Sequence, residues 1–163
     1  MAGLAFICVG RRKTGKTTLS KKLLSERKKG LPCVVYDINN EYKDFYPEPF
    51  LDFDIFLKKI VELKGHYILI EEATIFFHTT SSSQEMKNIL VRARHTQNII
   101  QLNFHSFSSV PREIYSLLDY VNVFKTNDSE KMLERFDSPK LLDAFIKVRD
   151  SKNPYENLTV DLY

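Results

Sequence analysis

Short apolar runs alternate along this chain with segments in which apolar residues recur at helical spacing. The apolar runs predict buried strands at residues 4–9, 33–38, 66–70, 98–104 and 120–125. Helical spacing predicts helices at residues 16–29, 53–63, 82–94, 129–136 and 139–149. The alternating tail "NLTVDLY" predicts a last strand, which we expect at a sheet edge. Strands that alternate with helices are typical of an α/β fold, in which helices cross over between strands of a mostly parallel sheet.

Local signals at the ends of these segments refine two boundaries. Gly30 and Pro32 follow the first predicted helix, in the positions typical of a C′ glycine and of the proline beyond it. Ser82 and Glu85 have the spacing of a capping box, which predicts that a helix begins there. The hydroxyl-rich stretch "HTTSSS", residues 78–83, is therefore predicted to be a mobile loop that precedes the helix.

The composition favours a single domain over residues 1–163. Of the 163 residues, 43% are hydrophobic and 28% are charged, which are ordinary values for a globular domain. The net charge of +3 does not by itself indicate a nucleic-acid binder. Basic residues are clustered along the chain, and the simplest interpretation of such clusters is that they lie on solvated helix faces. No apolar run approaches the roughly 18 residues of a membrane span. Cys8 and Cys33 lie in apolar runs and are predicted to be buried free thiols.

The stretch "GRRKTGKT", residues 10–17, fits the pattern G-x-x-x-x-G-K-[ST] between a predicted strand and a predicted helix. Glycines let the loop turn its N–H groups towards phosphate oxygens, and the helix N-terminus favours an anion. Lys16 is expected at the β and γ phosphates of ATP, and Thr17 at Mg²⁺. The basic loop residues Arg11, Arg12 and Lys13 could contact the nucleotide, a neighbouring subunit or DNA, and the sequence leaves these alternatives open. The predicted nucleotide-binding residues are Gly10, Arg11, Arg12, Lys13, Thr14, Gly15, Lys16, Thr17 and Thr18.

Two glutamates follow a predicted buried strand in "HYILIEEA", residues 66–73. They are expected at the carboxyl edge of the sheet, where ligands bind in open α/β folds. Glu71 is predicted to bind Mg²⁺, through water, and Glu72 to polarise the attacking water. The simpler interpretation is a pair of exposed charges at a strand end. The pair argues against a nucleoside kinase, which needs no glutamate to activate water.

A catalytic glutamate after the third strand favours one branch of the P-loop NTPases. This is the RecA-like branch with an additional strand, a three-layer α/β/α fold around a mostly parallel sheet. In that branch the fourth strand lies between the first and the third, and a polar residue at its tip senses the γ phosphate.

Four segments together resemble the FtsK–HerA superfamily of ring-forming, DNA-pumping ATPases. The resemblance is closest to its small viral branch, the genome-packaging ATPases of membrane-containing and related icosahedral viruses. The segments are the phosphate loop, "VVYDINNEY" at 34–42, "ILIEEA" at 68–73 and the stretch 92–125. In the second segment, Asp37, Glu41 and Tyr42 match an aspartate at a strand end that is followed by a Glu-Tyr pair. The segments span about residues 4–125, and only the phosphate loop is specific by itself.

This sequence departs from the family pattern at two site positions. Counting back from Pro111, the family's γ-phosphate sensor falls at His105, where the family usually has glutamine. The family usually has aspartate where Glu71 stands. A histidine can still donate a hydrogen bond to a phosphate oxygen or orient a water, although a structural role is the alternative. The family also completes each site with an arginine from the next subunit. Arg94 is the preferred candidate here, followed by Arg92 and Arg112, with surface or DNA contacts as their alternative.

The resemblance implies an ATPase that uses Mg²⁺ and moves double-stranded DNA into a capsid without regard to its sequence. It implies a homo-oligomeric ring of five or six subunits, with residues 78–83 near a central pore, and capsid vertex proteins as partners. The expected locations are the host cytoplasm and the packaging vertex of the virion. Three alternatives stay open: a Zot-like phage assembly or secretion ATPase, a small P-loop nucleoside or nucleotide kinase, and a nucleotide-binding module that does not hydrolyse.

Overall fold

The computed structural model describes residues 3–27, 30–45, 50 and 52–163. In this part of the chain, strands form one sheet in the order β2-β3-β4-β1-β5-β6. β1 to β5 run parallel, and β6 pairs antiparallel with β5 at the edge. The fourth strand therefore lies between the first and the third, as predicted, and the tail forms the expected edge strand. The strands are β1 Leu4–Val9, β2 Cys33–Tyr36, β3 Tyr67–Ile70, β4 Ile99–Phe104, β5 Tyr120–Phe124 and β6 Asn157–Asp161.

Helices cover both faces of this sheet. They are α1 Lys16–Glu26, α2 Phe53–Glu62, α3 Thr80–Thr96, α4 Arg112–Tyr115, α5 Glu130–Glu134 and α6 Pro139–Asp150. Two short 3₁₀ turns, Ala73–Phe77 and Phe107–Ser109, follow β3 and β4. The helices at residues 16, 53, 80, 130 and 139 were expected from the apolar spacing. The 3₁₀ turns and α4 are too short to leave a periodic pattern in the sequence.

Alternating side chains of the central strand β1 divide the core into two layers. Ala5, Ile7 and Val9 pack in a large cluster with apolar residues of α2, α3 and α6. Phe6 and Cys8 point to the other face, where the leucines of α1 cover them. Because the strand is buried on both faces, its sequence is continuously apolar rather than alternating. The three-layer α/β/α fold expected of a P-loop NTPase is confirmed.

The sequence suggested that residues 78–83 form a loop before a helix, but most of this stretch belongs to the helix itself. Helix α3 begins at Thr80, and Thr79 caps it: its Oγ1 accepts a hydrogen bond from the Ser82 N–H at 3.1 Å. The predicted capping box at Ser82 and Glu85 is therefore wrong by one turn. Threonine is a favourable N-cap. The serines that follow it have ordinary helix propensity, so the run of hydroxyl residues was taken for a loop although the helix begins within it.

Two predicted elements end earlier than the sequence indicated. β2 ends at Tyr36 rather than at residue 38, because the carboxylate of Asp37 accepts from the N–H groups of Asn39 and Tyr42 and turns the chain. α1 ends at Glu26, and its C-cap is Arg27. Gly30 is therefore not its C′ residue, although its φ of 87° is left-handed. The predicted end of this helix at residue 29 lies outside the described residues.

Two further expectations concern the cysteines and membrane spans. Cys8 is fully buried and Cys33 is half-buried, and both are free thiols, so the prediction of burial is only partly met for Cys33. Burial raises the pKa of the Cys8 thiol to about 12, which leaves it inert at neutral pH. Within the described ranges, no helix is long and apolar enough to cross a bilayer.

Candidate nucleotide site

The loop of residues 10–15 joins β1 to α1 and is anchored to the neighbouring strands. The Gly10 N–H donates to the Phe104 carbonyl at 3.1 Å, and the Arg11 N–H donates to the Lys125 carbonyl at 2.8 Å. A Cβ atom on Gly10 would lie 2.4 Å from the Cβ of Phe124, so this position has no room for a side chain. Gly15 has a φ of 100°, which favours glycine, and α1 begins directly after it. The loop thus presents the N-terminus of an 11-residue helix to the solvent-facing cleft.

Lys16 lies inside this loop rather than out in solvent. Only 5% of the residue is exposed, and its Nζ donates to the carbonyls of Gly10, at 2.5 Å, and Arg11, at 3.0 Å. Burial lowers the pKa of the Lys16 ammonium, and the nearby carboxylates of Glu71 and Glu72 oppose that shift. The ammonium therefore lies inside the loop, with main-chain carbonyls as its partners, where a loop of this kind would enclose an anion.

Glu71 follows β3 and is held by two side chains from other parts of the chain. Its Oε2 accepts from the Tyr42 hydroxyl at 2.8 Å and from Asn103 Nδ2 at 2.6 Å. Burial raises the pKa of the Glu71 carboxyl, and the two hydrogen bonds and Lys16 oppose this shift. Among the described residues, none donates a hydrogen bond to Glu71 Oε1, so this oxygen is available to a ligand.

Glu72 and His105 meet because their strands are neighbours in the sheet. Each residue lies just beyond the carboxyl end of its strand, β3 or β4, and His105 Nε2 donates to Glu72 Oε1 at 2.6 Å. Glu72 has φ 55° and ψ 47°, a left-handed conformation that is uncommon for a residue with a side chain. The Nδ1 atom of His105 is buried and has no partner among the described residues. Both predicted residues therefore lie in one hydrogen-bonded pair.

These residues line a cleft of about 660 Å³ at the carboxyl edge of the sheet. This volume is in the range of small-molecule sites. Of the residues that the motif predicted, Gly10, Arg11 and Thr14 build the loop and the others face the cleft. The lining residues are Arg12, Lys13, Gly15, Lys16, Thr17, Thr18, Asn39, Glu41, Glu71, Glu72, His105 and Tyr155.

Thr17 and Glu71 are among the side chains of this cleft whose oxygen atoms could hold Mg²⁺, together with Glu41 and Glu72. A hydroxyl and one free carboxylate oxygen are hard oxygen donors of the kind that this ion prefers. Within the described residues, no three His, Cys, Asp or Glu side chains converge as a metal cage. That donor set suits an ion that keeps its waters and is shared with substrate phosphates.

Several residues that line the cleft or hold Glu71 in it were missed or only partly identified from the sequence. Asn103 and Tyr155 were not singled out, and Tyr42 was named only through the resemblance. A polar residue inside a buried strand such as "IIQLNF" is a signal that could have pointed to Asn103. Asp37 acts from a distance, since its hydrogen bond to the Tyr42 N–H shapes the turn that brings Tyr42 to Glu71.

The candidate arginines lie outside the cleft, whose described lining includes none of them. Arg94 lies at the opposite edge of the sheet, where its guanidinium donates to Asp119 at 2.7 Å and lies over the ring of Tyr163. Arg92 lines a small cavity between α2 and α3, and Arg112 begins α4 beside a separate cleft. The fold thus does not bring these side chains to the site of their own chain.

No family model matches this sequence, and no curated protein matches it either. The chain is similar to solved structures of B204, the DNA-packaging ATPase of Sulfolobus turreted icosahedral virus, with a TM-score of 0.78 at 20% identity. That match covers 99% of this chain and 94% of the other. B204 of Sulfolobus turreted icosahedral virus 2, a genome packaging NTPase, matches in complex with ATP-gammaS with a TM-score of 0.74 at 21% identity, covering 98% and 92%.

The AMP complex of the same virus 2 protein matches with a TM-score of 0.71 at 19% identity, covering 98% of this chain and 93% of the other. At these identities the likeness concerns the fold. It extends over nearly the whole of both chains, and the similar structures are those of the viral class that the sequence resembles.

Proposed function

We propose that this chain is a Mg²⁺-dependent ATPase that drives double-stranded DNA into a viral capsid. The observation that carries the proposal is the meeting of Lys16, Glu71 and the Glu72–His105 pair in one cleft. The whole-chain fold likeness to B204 supports packaging as the use of this site, since B204 is a DNA-packaging ATPase.

Each side chain has a role that its position supports. The N-terminus of α1 and Lys16 bind the phosphates, and Lys16 then exchanges its main-chain carbonyls for phosphate oxygens. Mg²⁺, held by Thr17 and Glu71, would neutralise charge on the phosphates. Glu72 accepts a proton from the attacking water. His105 orients the Glu72 carboxylate through their 2.6 Å bond, and it would sense the γ phosphate by exchanging this bond for one to a phosphate oxygen, since its Nδ1 atom is buried.

The ring, the DNA and the capsid complete the proposal. Arg94 lies outside the cleft of its own chain and its side chain is 64% exposed, so any nucleotide site to which it contributes would be that of a neighbouring subunit. An arginine of this kind stabilises charge in the transition state. DNA would be held through its phosphates, without base contacts, and the protein would act in the host cytoplasm and at the virion vertex with capsid proteins.

One experiment tests hydrolysis and its coupling to DNA. Phosphate release from MgATP is measured with and without double-stranded DNA for the wild type, Glu72→Gln and the matched control Glu134→Gln, which makes the same chemical change at an exposed residue outside the cleft. We expect Glu72→Gln to lower the rate by about 10²-fold or more while nucleotide binding persists. We expect Glu134→Gln to match the wild type and DNA to stimulate both.

Wild-type rates in Glu72→Gln would remove Glu72 from catalysis. Phosphate transfer to a nucleoside that does not depend on DNA would favour a kinase. Nucleotide binding without any phosphate release, with or without DNA, would favour a module that does not hydrolyse.

A further inference from the structure

The segment between α6 and β6 reaches the phosphate loop because β6 runs against the other strands. Asn157, the first residue of β6, pairs with Phe124, the last residue of β5. The residues just before β6 therefore lie at the carboxyl edge of the parallel sheet. Tyr155 lines the cleft from there, and its Cδ1 atom is 3.8 Å from the position of a Cβ built on Gly15.

Tyr155 is an exposed aromatic side chain on a turn that hydrogen bonds hold in place. Its N–H donates to Asn153 Oδ1 at 3.0 Å, and the Asn153 N–H donates to Ser151 Oγ at 3.1 Å. Lys125 Nζ donates to the Ser151 carbonyl and ties the turn to the end of β5. The residue is 62% exposed, although a large aromatic ring is usually covered. A flat ring that is presented to a cleft on a fixed turn is suited to bind another flat ring.

The order of the strands places this ring away from the hydrolytic residues. The cleft's carboxylate and amide side chains, Asn39, Glu41, Glu71 and Glu72, follow β2 and β3 on one side of the phosphate loop. Tyr155 enters from β6 on the other side. A nucleotide with its γ phosphate towards Glu72 and its phosphates on α1 therefore extends its base towards Tyr155.

We propose that Tyr155 stacks on the base of the bound nucleotide and that this site accepts purine nucleoside triphosphates with little preference between adenine and guanine. The proposal rests on the nucleotide site proposed above and adds its base subsite. Every base has a π-face, so stacking alone does not read the pattern of donors and acceptors on its edge. Within the described lining, Gly15 has a measured approach to this ring and no side chain of its own, and the carboxylate and amide side chains follow β2 and β3 on the other side of the loop.

Binding measurements with three probes test the proposal. MgATP, MgGTP and magnesium tripolyphosphate are titrated into the wild type, Tyr155→Ala and Tyr155→Phe. The matched control is Tyr163→Ala, which removes an exposed tyrosine at the opposite edge of the sheet. We expect Tyr155→Ala to weaken both nucleotides by roughly 5- to 150-fold, from the usual contribution of one stacked base. We expect Tyr155→Phe and Tyr163→Ala to bind as the wild type does, and tripolyphosphate to bind all four proteins equally.

The outcomes separate this subsite from the nucleotide site itself. Unchanged ATP affinity in Tyr155→Ala, in a protein whose wild type binds ATP and tripolyphosphate, would overturn the stacking role alone. Equal losses for tripolyphosphate and ATP would also overturn it, because the side chain would then act on phosphates. A wild-type preference of more than about tenfold for one purine would overturn the weak selection between bases. A wild type that binds none of the three probes would overturn the proposed function as well.

Discussion

The hydrogen bond from Tyr42 to Glu71 gives a sharp test of how the site is held together. Replacement of Tyr42 by phenylalanine removes one hydroxyl and leaves the ring, so no large cavity forms. Tyr42 is fully buried and Glu71 is 4% exposed, and 2.8 Å separates the hydroxyl from Oε2. A buried hydrogen bond to a charged group contributes about 1.5–3 kcal/mol to the free energy of unfolding. We therefore expect Tyr42→Phe to lower this free energy by about that amount at a pH where Glu71 is ionised, and the melting temperature by roughly 3 to 12 °C.

The dependence on pH follows from the carboxyl of Glu71. Burial raises its pKa in the folded protein, and the Tyr42 bond lowers it, so the Tyr42→Phe variant has a still higher pKa. Between the unfolded and folded pKa values the folded state binds more protons, so stability falls as pH rises through that window. The window extends to higher pH in the variant. The difference in stability between wild type and variant is therefore small in acid, where Glu71 is protonated in both, and grows as pH rises.

Chemical denaturation of four proteins measures the effect: the wild type, Tyr42→Phe, Glu71→Gln and the double variant, each at acid and neutral pH. The double-mutant cycle is needed because the Tyr42 hydroxyl also lies close to Ser20. Tyr155→Phe serves as the control for loss of an exposed hydroxyl. An equal cost of Tyr42→Phe with and without the Glu71 charge, at every pH, would refute the reasoning.

Two further predictions concern stability and the ring. A Cβ on Gly3 would lie 2.0 Å from the carbonyl oxygen of Ala93, so Gly3→Ala should lower the free energy of unfolding in denaturant by about 1–3 kcal/mol. An unchanged denaturation midpoint would show that α3 can move away from the start of β1 without cost. Arg94→Met should leave the melting temperature nearly unchanged, since exposed ion pairs contribute little, but lower DNA-stimulated hydrolysis by about a thousandfold or more. Arg149→Met, another exposed paired arginine, is its control, and equal activity of the two variants would exclude a trans role for Arg94.

The fold was predictable wherever apolar pattern and fold class agree. All five buried runs became strands, because a strand covered on both faces must be apolar throughout. Apart from α4 and the two short 3₁₀ turns, which leave no periodic pattern, the errors lie at the ends of elements, where single side chains decide. The Asp37 carboxylate stops β2 early, and the Thr79 hydroxyl starts α3 early. Both effects depend on which N–H groups a short polar side chain reaches, which periodicity does not encode.

The site was predictable where local sequence carries the chemistry. The phosphate loop and the pair Glu71 and Glu72 are contiguous in sequence, and their strand context fixes where they lie. Asn103 and Tyr155 come from distant positions. The place of Asn103 follows from β4 lying beside β3, which the fold branch predicted, but not that this side chain bonds to Glu71. The place of Tyr155 follows from β6 returning antiparallel to β5, which only the folded chain provides. A pattern read along one sequence has no access to such contacts between side chains.

Buried polar side chains between α1 and the sheet explain why those neighbours matter to the chemistry. Gln101 and Asn103 of β4 both donate to Ser20 Oγ, at 2.7 and 3.1 Å, and Ser20 donates to the Lys16 carbonyl at 3.0 Å. Asn103 also donates to Glu71 Oε2. Apolar side chains would fill this space, but apolar contacts are non-directional and let a helix shift against a sheet. Directional hydrogen bonds instead fix Glu71 relative to the first turn of the phosphate-binding helix, and catalysis by positioned groups depends on that precision.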